Sequence, residues 1–246
     1  MSWFEEWFDS PLYEKLYAYR DEEEASLLAV LIEKEIPMSD YRSILDLGCG
    51  RGRHSLTLAE KGYRVTGIDL SQNAIEKAGK IAEQRKLTNI DFKVGDMRVP
   101  LPETFDAVLN LFTTFGYFLK DKENEKVFES VQSMLKPGGI FFMDYMNEEV
   151  VRNNIVPEEK GSYREWDYRI SRKIKNDMIY KNIRFFTQSQ GQTIKYRERV
   201  KLYGLNWFRV VATRNHFTLK KTYGNYEGDP FNEEESSRLI MVFERK

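Results

Sequence analysis

The segment Ile44–Ser55, ILDLGCGRGRHS, determines how the rest of the chain is interpreted. Its first four residues are apolar except for Asp46, which is typical of a short buried strand. Glycines follow at positions 48, 50 and 52, and a helical pattern begins at Arg53. A glycine-rich turn between a strand and a helix lets a ligand come close to the main chain. The segment therefore predicts a ligand-binding loop that follows a strand.

Short apolar strands alternate with amphipathic helices from this loop to Met146. The predicted strands are 43–47, 63–69, 90–94, 105–112 and 140–146, and the predicted helices are 13–36, 53–61, 71–85 and 123–135. Strands separated by helices run parallel in one sheet. The predicted fold class is α/β, a doubly wound, Rossmann-like and mostly parallel sheet, in which ligands bind outside the carboxyl ends of the strands.

The pattern changes after Asn154, where aromatic or β-branched residues alternate with charged ones. This period of two predicts antiparallel strands in a small β insertion. A short helix and two strands follow, and the last two strands are expected to return to the main sheet as an antiparallel terminal hairpin. The predicted organisation is an N-terminal helical lid over 1–40, an α/β domain over 41–154 and 203–246, and a β insertion over 155–202 that caps the substrate.

Composition excludes several classes of protein. The single cysteine rules out an internal disulfide. No apolar run approaches the roughly 18 residues of a membrane span, and the first residues lack the pattern of a signal peptide, so we expect a cytoplasmic protein. The net charge is −1, but residues 1–40 carry 3 − 11 = −8 and residues 160–222 carry 16 − 4 = +12. This asymmetry indicates either nucleic-acid or anion binding or two solvated faces.

The residues around the glycine loop narrow the choice of ligand. A dinucleotide fingerprint needs a third glycine where this chain has Arg53. Asp69 ends the second strand, 19 residues after Gly50, where a carboxylate holds both hydroxyls of a ribose. Leu70 is placed to cover an adenine ring. In the segment VGDM, Asp96 is placed to accept from an adenine amino group, or to cap the next turn, and Met97 to pack on the ring.

Five motifs together resemble those of the class I S-adenosylmethionine-dependent methyltransferases. They are LDLGCGRGRHS, GIDLS, VGDM, FDAVLNLFTTFGYF and LKPGGIFFMDY, in that family's order. Within the family, LFTTFGYF and the β insertion are most similar to the amino-sugar N-methyltransferases. The resemblance implies S-adenosylmethionine as the cofactor and no metal. The cofactor-binding residues it implies are Asp46, Gly48, Cys49, Gly50, Asp69, Leu70, Gly95, Asp96, Met97, Asn110 and Leu111.

The acceptor side is expected at the ends of the fourth and fifth strands. Methyl transfer from a sulfonium is an in-line displacement, for which alignment supplies much of the rate. Asp144, Tyr145 and Tyr117 are the candidate catalytic residues: Asp144 or Tyr145 can bind an acceptor amine or take its proton, and Tyr117 follows the fourth strand. The candidate substrate-binding residues are Tyr17, Arg20, Phe115, Tyr223 and Tyr226. For Phe115 the alternative is core packing, and we interpret His54 as a packing residue.

The predicted function is transfer of a methyl group to a small molecule, with an amine nitrogen as the acceptor atom. The basic insertion would suit an anionic acceptor. The motif N-P-P-[YF] of DNA-amine and protein-amide methyltransferases is replaced by MDYMN, which disfavours nucleic-acid partners. Two alternatives stay open: an RNA methyltransferase, favoured by the charge of residues 160–222, and a protein that binds S-adenosylmethionine without turnover.

Overall fold

A computed structural model describes residues 7, 10, 12, 16, 22–187 and 191–246. The helices are α1 (Glu22–Glu35), α2 (Arg53–Glu60), α3 (Gln72–Gln84), α4 (Asp121–Met134), α5 (Glu148–Asn153) and α6 (Leu205–Arg214). The strands are β1 (Ser43–Leu47), β2 (Arg64–Asp69), β3 (Ile90–Val94), β4 (Phe105–Asn110), β5 (Leu135–Met146), β6 (Glu158–Tyr163), β7 (Trp166–Lys175), β8 (Met178–Phe186), β9 (Thr193–Lys201), β10 (Phe217–Tyr223) and β11 (Arg238–Arg245).

Seven strands form the main sheet in the order β10-β11-β5-β4-β1-β2-β3. Strands β1 to β5 pair in parallel, and β11 runs antiparallel to both β5 and β10. The carboxyl ends of β1, β2, β4 and β5 therefore lie at one edge of the sheet, together with the end of β10 and the start of β11. We call this edge of the sheet the carboxyl edge. The predicted fold class is confirmed, including the antiparallel terminal hairpin.

Alternate residues of the central strands enter two apolar layers. Phe141, Met143 and Tyr145 pack with α4 and α6 on one face, whereas Ile140 and Phe142 pack with α1 and α2 on the other. Burial on both faces explains why these strands are almost continuously apolar. It also places Asp144 and its neighbour Tyr145 on opposite faces of the sheet.

Local signals set most element ends. The predicted helix cap at Ser71 is confirmed, since its hydroxyl accepts from the Ala74 amide at 3.0 Å. The helix predicted to stop at Pro137 ends at Met134 instead, because Leu135 is already extended. Strand β5 then runs through Pro137, and a register shift between the β4 residues Phe105 and Ala107 accommodates the extra residues.

Strands β6 to β9 form a second, four-stranded antiparallel sheet, which we call the cap sheet. One of its faces is covered by N-terminal residues: Trp7, Leu12 and Leu16 form an apolar cluster with side chains of β7 and β8. The Trp7 indole also donates to the Glu198 carboxylate. Among the described residues, no helix is long and apolar enough to span a membrane.

Candidate functional site

The glycine loop connects β1 to α2 and has left-handed backbone at Gly50 and Gly52, with φ +55° and +73°. A Cβ on Gly50 would have no other atom within 4 Å, whereas one on Gly52 would overlap the Phe92 ring. Gly52 therefore lets α2 pack against β3, and Gly50 faces open space. This is the geometry of a loop that leaves room for a ligand at its main chain.

Asp69 joins this loop to the end of β2. Its carboxylate accepts from the Gly50 amide and from the Ser71 amide, both at 2.9 Å. The Gly95 amide donates to the Asp69 carbonyl at 2.9 Å, which brings the end of β3 to the same place. The side chain is only partly buried, so the loops after three strands converge on a carboxylate that solvent reaches.

Asp46 is deeply buried, with 3% of its surface exposed, and accepts from the Ser55 hydroxyl at 2.5 Å. Burial raises the pKa of its carboxyl to about 6; the Ser55 hydrogen bond opposes this, and the charge of Asp69 adds to it. Asp46 thus connects β1 to α2 below the loop. Cys49 is also largely enclosed, and burial raises the pKa of its thiol.

Asp96 is bound by a local partner. Its two oxygens accept from the Arg98 guanidinium and one also accepts from the Arg98 amide, at 2.5 to 3.1 Å. Burial opposes ionisation, but the Arg98 hydrogen bonds outweigh it and lower the pKa of Asp96. The Arg98 guanidinium also forms an ion pair with the Glu123 carboxylate at 2.7 Å. The structure therefore shows the turn-capping alternative for Asp96, while Met97 is half-buried against the core.

Asn110 ends β4 and is fully buried. Its amide nitrogen donates to the Leu47 carbonyl at 3.2 Å and to the Thr114 hydroxyl at 2.8 Å. The Asn110 Oδ1 atom has no hydrogen-bond partner. A buried acceptor without a donor is costly and is the kind of atom that a ligand satisfies. Leu111 next to it is buried in the layer that contains α1 and α2.

The loop after β4 is strained. Phe112 and Thr113 both have left-handed backbone, with φ +54° and +59°, which costs about 1–3 kcal/mol each for residues other than glycine. Asp144 holds this loop, because its Oδ2 accepts from the Phe112 amide at 2.9 Å and its carbonyl accepts from the Thr113 amide at 3.1 Å. Such strain persists only where surrounding contacts fix it, and these cluster at functional sites.

Asp144 has two further partners from the C-terminal segment. The Tyr226 hydroxyl donates to Oδ2 at 3.0 Å, and Arg238 Nε donates to Oδ1 at 2.8 Å. Arg238 also donates to the Thr113 hydroxyl at 2.9 Å. We call Thr113, Asp144, Tyr226 and Arg238 the acceptor network, after the side of the sheet on which the sequence predicts the methyl acceptor. Thr113 follows the fourth strand, where the sequence predicts acceptor-side residues, whereas Arg238 is not predicted; its only available signal is a charge at the start of an apolar strand.

His54 contacts this loop from α2. Its ring stacks on the Phe112 ring at 4.9 Å, and its Nε2 atom is buried without a hydrogen-bond partner. Burial, with a contribution from Arg53, lowers the pKa of His54 to about 3, so the ring is neutral. Packing, the role predicted for His54, is what the structure shows, and it connects the glycine loop to the loop after β4.

Two predicted acceptor-side residues lie in the core instead. Tyr145 is fully buried and its hydroxyl donates to the Lys201 carbonyl. Phe115 is 1% exposed and is surrounded by aromatic rings of α4 and α6. Both face the α4 side of the sheet, so neither meets the acceptor network, and core packing is the correct interpretation of Phe115. A hydroxyl enclosed and bound in this way is not placed to take a proton from an acceptor.

The other predicted substrate residues have different positions. The Tyr223 hydroxyl donates to Glu35 of α1 at 2.6 Å. Burial raises the pKa of Tyr223, and the hydrogen bond to Glu35 raises it further. Tyr117 is half-buried after β4, and Leu70 is half-buried after Asp69. Tyr17 and Arg20 lie outside the described residues. The described residues contain no group of three or more metal-binding side chains.

A family of proteins described as "Methyltransferase domain" has a sequence model that matches residues 39–200, more than half of the chain. A putative methyltransferase of Geobacillus sp. (strain WCH70) is 31% identical over 103 residues, 42% of this chain and 42% of that protein. The putative methyltransferase YqeM of Bacillus subtilis (strain 168) is 38% identical over 111 residues, 43% of this chain and 42% of that protein. The matches thus span less than half the length of these relatives.

Solved structures resemble the whole fold at low identity. An S-adenosylmethionine-dependent methyltransferase from Clostridium acetobutylicum superposes with a TM-score of 0.79 at 16% identity, covering 95% of this chain and 96% of that one. CalS10, an amino pentose methyltransferase from Micromonospora echinaspora, superposes with a TM-score of 0.69 at 18% identity, covering 96% of this chain and 98% of that one. The chain therefore belongs to the family described as "Methyltransferase domain", and it shares its fold from end to end with S-adenosylmethionine-dependent methyltransferases.

Proposed function

We propose that the protein transfers a methyl group from S-adenosylmethionine to a small molecule, and that the acceptor atom is an amine nitrogen. The observation that carries the proposal is the partly exposed Asp69 carboxylate beside Gly50, at the carboxyl edge of the sheet. A carboxylate in this position suits the two hydroxyls of a ribose. The open space at Gly50 leaves room for the rest of the cofactor.

The residues on the cofactor side fit an adenosine carrying a charged amino-acid end. Asp69 would hold the ribose, the main chain of the glycine loop would approach the amino-acid end, and Asn110 Oδ1 offers a buried acceptor without a donor. Asp46 supports the loop through Ser55. When bound, S-adenosylmethionine supplies a leaving group that its positive sulfur already activates. The chain has to align the acceptor and exclude water.

On the acceptor side we assign Asp144 a positioning role. Its carboxylate accepts from the Phe112 amide, Tyr226 and Arg238, so it fixes the loop that borders the site. A neutral amine needs no strong base, which suits this arrangement. Tyr117 and Tyr226 remain proposed contacts of the acceptor. CalS10 and KedS8, the latter a sugar N-methyltransferase from Streptoalloteichus sp., share the fold and support the choice of an amine.

Calorimetric titration with S-adenosylmethionine and with NAD tests the cofactor site. We expect the native chain to bind S-adenosylmethionine and not NAD. Asp69→Asn should bind it about 10- to 100-fold more weakly, because hydrogen bonds to a charged group contribute about 1.5–3 kcal/mol. Asp91→Asn, which removes an exposed carboxylate from β3, is the matched control and should bind as the native chain does. Equal affinities for Asp69→Asn and the control would sink the assignment.

A pair of glycine variants separates ligand contact from stability. Gly50 and Gly138 both have left-handed backbone, and a Cβ on either has no atom within 4 Å. Gly50→Ala and Gly138→Ala should therefore lose similar stability in thermal unfolding. Only Gly50→Ala should lose affinity for S-adenosylmethionine, because only Gly50 borders the proposed site. If both variants bind the cofactor equally well, the open space at Gly50 does not hold it.

A screen of amine acceptors tests the reaction, with release of S-adenosylhomocysteine as the measurement. Amino sugars, with and without a carboxylate or phosphate, should include an active acceptor, and the anionic members test the predicted preference for an anion. Binding of S-adenosylmethionine without turnover across the screen would favour the alternative of a cofactor-binding protein. Turnover with hydroxyl acceptors alone would overturn the amine assignment.

A further inference from the structure

The outer face of the cap sheet carries a straight row of four basic side chains. Lys160 pairs with Arg169, Arg169 with Arg184, and Arg184 with Lys195, each directly across from the next. All four are exposed. Neighbouring strands are about 4.8 Å apart, so the four positions extend for about 14 Å across the sheet. We call these residues the basic row.

On the opposite face of the same sheet, cationic side chains lie close to carboxylates. There, Arg172 pairs with Glu159 at 2.5 Å and Lys181 lies 3.7 Å from Glu198. Among the described residues, no ion pair is found for any member of the basic row. Like charges placed directly opposite one another destabilise a sheet. The unpaired row therefore works against folding, and a bound anion would offset it.

Two aromatic rings lie on the same face as the basic row, one in the adjacent row of residues and one two rows away. Phe186 is two residues from Arg184 along β8, and Tyr180 is four residues away, so both project to the same side as Arg184. Both are half-buried. Two carboxylates, Glu158 and Asp167, also lie on this face, in the rows on either side. Arg197 lies in the same row as Glu158, and Lys173 and Arg199 in the next row extend the cationic surface.

We propose that this face binds the backbone of a single-stranded nucleic acid, with the basic row on successive phosphates and the rings under bases. Cations interleaved with aromatic rings on an open sheet are how single strands are bound without sequence preference. The bound strand is a partner of the outer face, and the small-molecule acceptor site lies at the carboxyl edge. The inference therefore stands or falls separately from the proposed function.

Other occupants fit the face less well. A second copy of this chain in a two-fold contact would place the basic row against itself, which repels. An anionic membrane surface is a weaker match, because none of the exposed large apolar residues among those described lies in β6 to β9. An acidic protein would use the charges but leave the rings without a role. The anionic membrane surface and the acidic protein become outcomes of the test.

The test is fluorescence anisotropy with a labelled, mixed-sequence single-stranded RNA over a series of salt concentrations. Each phosphate contact of a single strand contributes about −0.7 to the slope of log affinity against log salt, so four contacts give about −3. The combined variant Arg169→Gln, Arg184→Gln, Lys195→Gln should bind at least about tenfold more weakly at low salt and reduce the slope to about −0.7. Phe186→Leu should weaken binding and leave the slope unchanged, because stacking releases no counterions.

The matched control removes the same charge elsewhere, with Lys80→Gln, Lys122→Gln and Lys246→Gln at three exposed lysines. It should bind RNA nearly as the native chain does. All variants should keep native affinity for S-adenosylmethionine, which shows that they are folded. The proposal is overturned if no saturable RNA binding occurs, if the control loses as much affinity as the basic-row variant, or if duplex RNA, anionic vesicles or an acidic peptide bind more tightly than the single strand.

Discussion

Two carboxylates lie at the carboxyl edge, one on the proposed cofactor side and one on the proposed acceptor side. Asp69, on the cofactor side, is partly exposed and is bound by backbone amides of Gly50 and Ser71, at most 19 residues away along the chain. Asp144, on the acceptor side, is fully buried and is bound by Phe112, Tyr226 and Arg238, up to 94 residues away. The cofactor side is thus built from local contacts, and the acceptor side from contacts between distant parts of the chain.

Arg238→Gln should break the acceptor side with the largest effect. It leaves the Asp144 charge buried without its cation, and removing one partner of a buried pair costs about 3–5 kcal/mol. Chemical denaturation gives the free energy of unfolding. Arg152→Gln is the control, because Arg152 bridges the partly exposed Glu148 and Asp177 and such pairs contribute about 0–1 kcal/mol. Equal losses in the two variants would show that the Asp144 site is not desolvated as described.

Gly52→Ala should be the most damaging single change on the cofactor side. It adds left-handed strain, about 1–2 kcal/mol, and a methyl group that overlaps the Phe92 ring, about 1–3 kcal/mol. Gly138→Ala carries the strain without the overlap, so the difference between the two unfolding free energies isolates the overlap. A difference near zero would mean that α2 can move away from β3 at no cost.

The stability of the cofactor side should depend on pH through Asp46. Its carboxyl keeps a proton up to about pH 6 in the folded chain, whereas the unfolded chain releases it near about pH 4. Between these values the folded chain binds more protons, so the free energy of unfolding falls as pH rises, by up to about 3 kcal/mol. The difference between native chain and Asp46→Asn, measured by denaturation from pH 4 to pH 7, should show this slope. If the difference between the two unfolding free energies does not change with pH, the pKa of Asp46 is not raised in the folded chain.

Tyr226→Phe should have the smallest effect, about 1.5 kcal/mol, the lower end of what one hydrogen bond to a charged group such as Asp144 contributes. Tyr223→Phe is its match, since it loses one hydrogen bond to Glu35. Combined with Arg238→Gln, the Tyr226 variant should be non-additive and the Tyr223 variant additive, because only Tyr226 shares a partner with Arg238. Additivity in both double-mutant cycles would show that the acceptor network does not act as a unit.

The difference between local and long-range contacts also explains which features can be predicted from the sequence. The alternation of strands and helices, the Ser71 cap and the spacing from Gly50 to Asp69 are local patterns, and the structure has each of them. For Asp96 the structure has the turn-capping hydrogen bond, donated by the Arg98 amide two residues away, and contact with an adenine stays a prediction. Phe115 and Tyr145 were misplaced because an aromatic pattern near a strand end does not tell which face of the sheet a ring enters.

The acceptor network could not be predicted in full because its members come from three separate parts of the chain. Asp144 and Tyr226 were named individually, but nothing in their local sequence indicates that they touch. Arg238 meets Asp144 only because β11 lies antiparallel beside β5, in a register that places Ile240 opposite Asp144. Pairing of distant strands is decided by the whole fold, and the left-handed loop at Phe112 depends on it.

The position of β11 between β5 and β10 also has a consequence for the order in which the chain is made. When synthesis reaches Met146, the five parallel strands can pair, but β5, the most apolar of them, has an open edge. Unpaired apolar edges invite aggregation. That edge stays open until β11 emerges from the ribosome, some ninety residues later. The strand that brings Arg238 to Asp144 is thus also the one that covers the apolar edge of β5.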